Sequence, residues 1–188
     1  MCGETHLADE LTGHRRRRRN RKAGWTRRLV QEIRVPVDDL IWPVVIVPGE
    51  SVVDPITAMP GVYRLSVDKA VEAVKEAADL GIPAIAPFPD IEMDLRDPTG
   101  SAILDPNNLI NRFTSAVKKS VPNIGVISDV ALDPFTSHGH DGILRDGIIL
   151  NDETVDQVVK AAVLQADAGA DIISPSDMMD GRIGAIRR

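Results

Sequence analysis

The feature of this sequence that most constrains its fold is a regular alternation of apolar runs and amphipathic helical patterns. Four runs rich in Val, Ile and Ala begin every 42 to 46 residues: LIWPVVIV (40–47), IPAIAPF (82–88), IGVISDV (124–130) and ADIISPS (170–176). Continuous apolar strands of this length are typical of a parallel sheet. The sequence therefore predicts an α/β fold in which helices cover a parallel sheet.

Segments with the spacing of amphipathic helices lie between these runs. In residues 66–81 the apolar side chains follow an i, i+3, i+4, i+7 pattern, and residues 151–169 repeat the design. A less clearly patterned helix is predicted around residues 107–119. Gly81 and Gly169 are placed to end the first two helices, because glycine favours the helix C-terminus.

The number of strand-helix units limits the choice of architecture. No GxGxxG or GxxxxGK[ST] motif follows any apolar run, so a nucleotide-binding α/β fold loses most of its support. A (β/α)8 barrel gains from that loss, but eight units at this spacing need about 350 residues. The chain has 188 residues, and four units fit. We therefore expect residues 29–188 to form half of a (β/α)8 barrel, with its first and fourth strands as open edges.

The basic residues are concentrated near the N-terminus. The formal net charge is −6, yet residues 14–28, HRRRRRNRKAGWTRR, are strongly basic. A nucleic-acid-binding tail, a targeting segment and an arm that docks on an acidic neighbour are the three interpretations. No apolar stretch follows to complete a targeting segment, and nucleic acid is disfavoured because no aromatic residues interleave with the arginines. We expect residues 1–28 to be an oligomerisation arm or a solvated tail that is disordered in isolation.

Composition excludes several further classes of protein. No apolar run approaches the roughly 18 residues that a membrane span needs, so we expect no membrane insertion. Cys2 is the only cysteine, which rules out disulfides within the chain and the usual cysteine-based zinc sites. These features favour a reducing cytoplasm.

One stretch, SDVALDPFTSHGHDG (128–142), concentrates acidic residues and histidines. If the third strand continues to Pro134, then Asp129 and Asp133 share one face at its C-terminal end. Active sites of parallel barrels form at that end. Together with Asp141, these carboxylates would suit a hard cation such as Mg²⁺. The alternative is that they cap helices and hydrate a loop.

Two other groups of side chains lie near strand ends. His138 and His140 flank a glycine and can serve as metal ligands or as a proton relay, or they can bond to the backbone of the loop. SPSDMMDGRIGAIR (174–187) leaves the fourth strand with Ser176 and Asp177 at its end. These two residues can either line a site or cap the following helix.

The stretches at residues 128–142 and 174–187 both resemble the signature sequences of 5-aminolevulinate dehydratase, also called porphobilinogen synthase. RNRKAGWTRRLVQE, VDDLIWPVVIV, AMPGVYRLS and LGIPAIAPFP match the N-terminal half of that family in the same order, so the resemblance runs from about Arg15 to Arg188. It implies a TIM barrel, of which this chain covers about the first four βα units plus an N-terminal arm. It also implies a homo-octamer in which the arm wraps a neighbouring subunit.

The resemblance also implies an activity. The family are lyases that condense two molecules of 5-aminolevulinate into porphobilinogen, with loss of two waters, on the route to haem and other tetrapyrroles. Asp129 and Ser176 match family positions that line the substrate pocket. His138 and His140 fall in the stretch near the mouth of the barrel.

The metal expected from the resemblance is a hard cation. Zinc-dependent members carry three cysteines at the positions of Ala131, Asp133 and Asp141. This chain resembles the aspartate-rich type associated with Mg²⁺ or K⁺, in keeping with the preference of oxygen ligands for hard cations. Asp133 and Asp141 are then the expected metal ligands, and zinc is not expected.

The same resemblance raises a question about catalysis. The family mechanism uses two lysines that form Schiff bases with the substrates, and both lie in the C-terminal half, beyond Arg188. We therefore expect this chain by itself to lack catalysis by that mechanism. Three explanations stay open: a fragment of a longer enzyme, a chain completed by a second polypeptide, and a non-catalytic partner that docks on full-length enzyme through its basic arm.

Overall fold

The structure, a computed structural model, describes residues 18–188. Contacts divide the chain into two units, Met1–Pro36 and Val37–Arg188. In the first unit a 3₁₀ turn spans Arg19–Arg21 and helix α1 spans Gly24–Leu29. The expected disorder of the arm falls largely on residues 1–17, which lie outside the described residues, and the arm boundary at residue 28 stays a prediction.

A six-stranded sheet forms the centre of the second unit. Its strands are β1 (Ile41–Val47), β2 (Val53–Pro55), β3 (Tyr63–Ser66), β4 (Ala84–Pro89), β5 (Gly125–Asp129) and β8 (Ile172–Ser174). The strand order is β2-β3-β1-β4-β5-β8, and β1, β4, β5 and β8 run parallel to one another. A separate antiparallel ribbon pairs β6 (Leu144–Arg145) with β7 (Ile148–Ile149).

A helix lies after each of the four strands that the apolar runs predicted, with β2 and β3 between β1 and the first of these helices. These helices are α2 (Val67–Asp79), α3 (Leu109–Ser120), α4 (Asn151–Asp167) and α5 (Arg182–Ile186). The predicted succession of four βα units is therefore confirmed. Gly81 and Gly169 end their helices with φ values of +87° and +108°, as their placement indicated. Among residues 18–188, no helix is long and apolar enough to span a membrane.

The core lies between the helices and one face of the sheet. Alternate side chains of each strand point toward the helices because the strand period is two residues. The buried side chains on this side include Val44, Ile46, Ile85, Val126, Val74, Phe113, Val117 and Val158. On the opposite face, Ile41, Phe88 and Ile172 keep 41% to 54% of their surface exposed within the described residues.

The expectation that the first strand is an open edge is wrong. β3 pairs with the C-terminal part of β1 in parallel, joining Val45 to Arg64, and β2 then pairs antiparallel with β3. Neither short strand shows a clear apolar run, and Pro55 lies in β2, so the sequence pattern did not reveal them. At the other side of the sheet, β8 pairs with β5 alone among the described residues.

Candidate functional site

The C-terminal ends of β4, β5 and β8, with the loops that follow them (residues 90–101, 130–142 and 175–180), lie at one edge of the sheet, which we call the mouth. The register of β5 and β8 pairs Asp129 with Ser174. Ser176 follows two residues later, and its hydroxyl is close enough to the Asp129 carboxylate to act on that group's pKa. The two side chains assigned to a substrate pocket by the family resemblance are therefore neighbours.

β5 ends earlier than the sequence predicted. The strand stops at Asp129, not at Pro134, and the Val130 amide still bonds the Ser174 carbonyl oxygen at 3.1 Å. The chain then turns, because the amides of Phe135 and Thr136 both donate to the Leu132 carbonyl oxygen. The buried Leu132 side chain anchors this turn. The expectation that Asp133 lies on the same strand face as Asp129 is therefore wrong.

Asp129 is half-buried at the end of β5. Burial raises its pKa, the Ser176 hydroxyl acts in the opposite direction, and the charges of Asp133 and Asp177 raise the pKa further. The Gln165 side-chain amide donates to the Asp129 backbone carbonyl at 3.3 Å and supports the strand end from the helix side. A carboxyl group with a raised pKa beside a hydroxyl is suited to exchanging a proton with a bound ligand.

Asp133 and Asp141 lie on the loop after β5. The pKa of Asp133 is raised by desolvation from the surrounding protein, although the residue is exposed, and the Asp141 charge adds to that rise. Arg96, which sequence reasoning did not single out, acts in the opposite direction. Residues 18–188 contain no group of three His, Cys, Asp or Glu side chains placed to hold a metal ion. As arranged, these two carboxylates are not a complete metal site.

The two histidines of this loop bond to backbone atoms. The His140 amide donates to His138 Nδ1 at 3.2 Å, and His138 Nε2 lies 3.1 Å from the Pro98 carbonyl oxygen. The Gly142 amide donates to His140 Nδ1 at 3.0 Å, and an Asp141 carboxylate oxygen lies 2.9 Å from the same nitrogen. Of the open interpretations, this geometry favours loop structure over metal ligation.

Asp177 is the mouth residue whose role the sequence did not reveal. Its side chain is fully buried, one oxygen accepts from the Met179 amide at 2.7 Å, and Arg182 Nε lies 3.3 Å from that oxygen. The other oxygen has no hydrogen-bond partner among the described residues. Burial raises its pKa, the Met179 amide and Arg182 act in the opposite direction, and the Asp141 charge raises it further.

A helix-capping role for Asp177 does not hold. α5 begins at Arg182, and its N-cap position is Gly181 with a left-handed backbone. Four acidic side chains lie near one another at the mouth, since the charges of Asp133 and Asp177 act on Asp129 and the Asp141 charge acts on Asp133 and Asp177. The mouth is therefore an acidic region that includes the Ser176 hydroxyl beside Asp129.

The fold and the site together define a class of protein. Consecutive βα units with polar side chains gathered at the C-terminal ends of parallel strands fit part of a (β/α)8 barrel, whose active sites form at that end. The crystal structure of delta-aminolevulinic acid dehydratase (porphobilinogen synthase) from Toxoplasma gondii ME49, in complex with the reaction product porphobilinogen, supports this assignment. It matches with a TM-score of 0.85 and 43% sequence identity, over 93% of this chain and 50% of that chain.

Sequence comparisons agree with the structural match. The family model for delta-aminolevulinic acid dehydratase matches residues 14–188. The delta-aminolevulinic acid dehydratase of Bradyrhizobium diazoefficiens is 57% identical over 172 residues, which are 92% of this chain and 49% of that protein. The chloroplastic enzyme of Glycine max is 47% identical over 97% of this chain and 45% of its own length.

The chain therefore belongs to the delta-aminolevulinic acid dehydratase family. It spans about half the length of the curated relatives it matches. The resemblance inferred from the sequence motifs is confirmed, and so is the assignment to the TIM-barrel fold.

Proposed function

We propose that this chain supplies part of a porphobilinogen synthase active site, in which two molecules of 5-aminolevulinate condense to porphobilinogen with loss of two waters. The observation that carries the proposal is the meeting of Asp129, at the end of β5, with Ser176, just after β8. Family membership and the porphobilinogen bound to the Toxoplasma gondii relative support it.

The acidic mouth has a clear chemical use for such a substrate. 5-Aminolevulinate carries an ammonium group, which the charges of Asp129 and Asp177 attract at short range. Asp129 can take a proton from this group or return one, since its raised pKa brings its protonated form closer to neutral pH. The Ser176 hydroxyl lies near the Asp129 carboxylate and is placed to donate to it or to a bound ligand, which would orient the ligand.

The lysines of the chain are poorly placed for Schiff-base chemistry. A lysine that attacks a ketone needs a lowered pKa, whereas hydrogen bonding and charge from Glu72 raise the pKa of Lys69. Lys118 bonds to Asp171 at the opposite end of the sheet from the mouth. The remaining lysines are exposed on helices or in the arm, at Lys22, Lys75, Lys119 and Lys160. We therefore propose that the 188-residue chain binds substrate without forming the family's covalent intermediates.

Two measurements test this proposal. The purified chain is incubated with 5-aminolevulinate and borohydride, and its intact mass is expected to stay unchanged. Binding of 5-aminolevulinate is followed by NMR in the chain and in Asp129→Asn, with Asp156→Asn, an exposed carboxylate on α4 away from the mouth, as the matched control. We expect Asp129→Asn alone to weaken binding about tenfold or more, since a charge-assisted contact is lost. A covalent adduct, or equal binding by both variants, would contradict the proposal.

We also propose that a cation bound near this loop would be Mg²⁺ or K⁺, held by Asp133 and Asp141 with water. Carboxylate oxygens prefer hard cations, so zinc is not expected. Because no complete group of ligands is formed among residues 18–188, no chemical step is assigned to a metal. Binding of Mn²⁺ alone, measured by relaxation of water protons, is expected to disappear in Asp141→Asn and to persist in Asp156→Asn.

For the first unit, which contains the arm, we propose assembly with further copies of this chain. In the first unit, Trp25, Leu29 and Ile33 are 64% to 79% exposed beside basic side chains, a composition suited to docking on an apolar surface with acidic residues around it. Replacing Trp25 and Leu29 by Ser is expected to lower the mass measured by light scattering, whereas Met93→Ser is not. Co-assembly with full-length enzyme alone would favour a non-catalytic partner instead.

A further inference from the structure

Two loops of the mouth are joined along their backbones. The β4 loop (residues 96–101) and the β5 loop (residues 132–142) exchange two hydrogen bonds. The Asp97 amide donates to the Phe135 carbonyl oxygen at 3.2 Å, and the Ser137 amide donates to the Asp97 carbonyl oxygen at 2.9 Å. Both the amide and the carbonyl group of Asp97 therefore bond to the backbone of the β5 loop.

The β4 loop is itself held firmly. The Asp97 carboxylate accepts hydrogen bonds from the amide and hydroxyl groups of both Thr99 and Ser101. Burial acts to raise the pKa of Asp97, but the bonds from Ser101 and Thr99 hold it well below its ordinary value. The bonds to the Asp97 carboxylate hold the β4 loop in one conformation. The β5 loop can therefore be positioned against it.

His138 bonds to both loops through its two ring nitrogens. Nδ1 accepts from the His140 amide at 3.2 Å, within the β5 loop, and Nε2 lies 3.1 Å from the Pro98 carbonyl oxygen in the β4 loop. A backbone amide can only donate, and a carbonyl oxygen can only accept. Both contacts are satisfied together by one form of the ring, the neutral tautomer with hydrogen on Nε2.

The segment after His138 carries Asp141. The Thr136 hydroxyl donates to the His140 carbonyl oxygen at 2.8 Å, and the Gly142 amide donates to His140 Nδ1 at 3.0 Å. These bonds make residues 136–142 a compact turn, but they lie within the β5 loop. The tie from His138 to Pro98 is the side-chain bond that fixes the turn against its neighbour.

We propose that His138 is a positioning residue, which in its Nε2–H form fastens the β5 loop to the β4 loop and so sets the place of Asp141 in the mouth. The inference goes beyond the proposed enzyme function, because it concerns the geometry of the loop and holds whether or not 5-aminolevulinate binds. It assigns to this histidine neither metal ligation nor proton transfer.

Matched variants separate the two bonds of the ring. In His138→Asn the amide oxygen takes the place of Nδ1 and keeps the His140 bond, while the contact with Pro98 is lost. In His138→Gln the amide nitrogen takes the place of Nε2 and keeps the Pro98 contact, while the His140 bond is lost. His138→Phe removes both, and Asp156→Asn, an exposed carboxylate on α4, serves as the control that lies in neither loop.

Amide hydrogen exchange in the 188-residue chain measures the effect, with the Val126 amide at the other end of the sheet as the reference for global stability. We expect His138→Asn to speed exchange at Ser137 about fivefold and His138→Gln to speed exchange at His140 about fivefold, each corresponding to one lost hydrogen bond. His138→Phe is expected to do both, with Val126 unchanged.

A spectroscopic signature completes the test. The ¹⁵N spectrum of the His138 ring is expected to show the Nε2–H tautomer, and the Asp141 carboxyl ¹³C signal is expected to shift in His138→Phe but not in Asp156→Asn. An Nδ1–H tautomer would overturn the proposal. Equal amide exchange in the unchanged chain and in all three His138 variants would also overturn it. Exchange at Val126 that became faster by the same factor would overturn it as well, because it would show that His138 affects global stability only.

Discussion

An aspartate at one end of the sheet and an aspartate at the other have opposite environments. At the base, the end away from the mouth, Asp171 accepts from Lys118 Nζ at 2.9 Å and from the Val126 amide at 2.8 Å. These two bonds lower its pKa. At the mouth, Asp177 is more deeply buried, yet one of its oxygens has no partner and burial raises its pKa. The base is arranged for stability, and the mouth keeps polar groups available for a ligand.

Lys118 shows how completely the base is bonded. Besides Asp171, its ammonium group donates to the carbonyl oxygens of Pro122 and Ile124, at 3.3 Å and 3.2 Å. Gly169 lies directly beside its side chain, where a Cβ atom would come within 3.0 Å of Lys118 Cγ. The Lys118 side chain therefore contacts the segments before β5 and β8 as well as Gly169, and a larger residue at position 169 would displace it.

The largest difference between the two ends is expected from two glycines. Gly169, at the base, has φ +108° and contacts Lys118, whereas Gly139, at the mouth, has φ +72° and open space around it. Gly169→Ala should lower the free energy of unfolding by about 2–3 kcal/mol, because strain and a close contact combine. Gly139→Ala should cost about 1 kcal/mol, the backbone strain alone. Urea denaturation measures both, and equal losses would break the comparison.

A second pair of substitutions compares carboxylates. Asp171→Ala leaves the Val126 amide unpaired at a fully buried residue and should cost about 2 kcal/mol. Asp133→Ala removes an exposed carboxylate at the mouth and should change stability by about 0.5 kcal/mol or less. Thermal unfolding followed by circular dichroism measures the difference. If Asp133→Ala proved as damaging as Asp171→Ala, the mouth would be contributing stability that the structure does not assign to it.

Neutralising the buried mouth carboxylate is expected to stabilise the protein. In Asp177→Asn the amide oxygen can still accept from the Met179 amide, while repulsion from Asp129 and Asp141 is removed. The gain at neutral pH should be about 0.5 kcal/mol, since the loss of charge pairing with Arg182 offsets part of it. Denaturant titration measures the gain, with the exposed Asp180→Asn as control. A loss above about 1 kcal/mol would mean that the pair with Arg182 dominates.

The smallest expected effect is a difference in pH dependence. The folded-state pKa of Asp177 lies above its unfolded value, so the folded state binds more protons between the two pKa values. The stability that protonated Asp177 contributes is therefore lost as the pH rises through that window. Asp171 is the reverse case: its contribution is lost as the pH falls through its lowered folded-state pKa. The stabilisation by Asp177→Asn should therefore grow from acid toward neutral pH and then level off, as melting curves across that range would show.

The sequence by itself determined the architecture and the family. The spacing of apolar residues shows which face of a strand or helix is buried, and glycines mark where helices end. Four βα units could therefore be predicted from these local patterns. The motifs around Asp129 and Ser176 led to the family, because long stretches in a fixed order are specific. The end of β5 was misplaced, since a run of alternating residues does not show where a buried Leu132 turns the chain out of the sheet.

Only the tertiary structure decided which distant groups meet. The bond between His138 and Pro98, the pairing of β3 with β1 and the buried position of Asp177 each join or enclose segments far apart in the chain. None of these has a local period, because each depends on how loops after different strands are brought to one edge. Apolar spacing reports which face of an element is buried, whereas the partner of a polar atom is set by the packing of the whole unit.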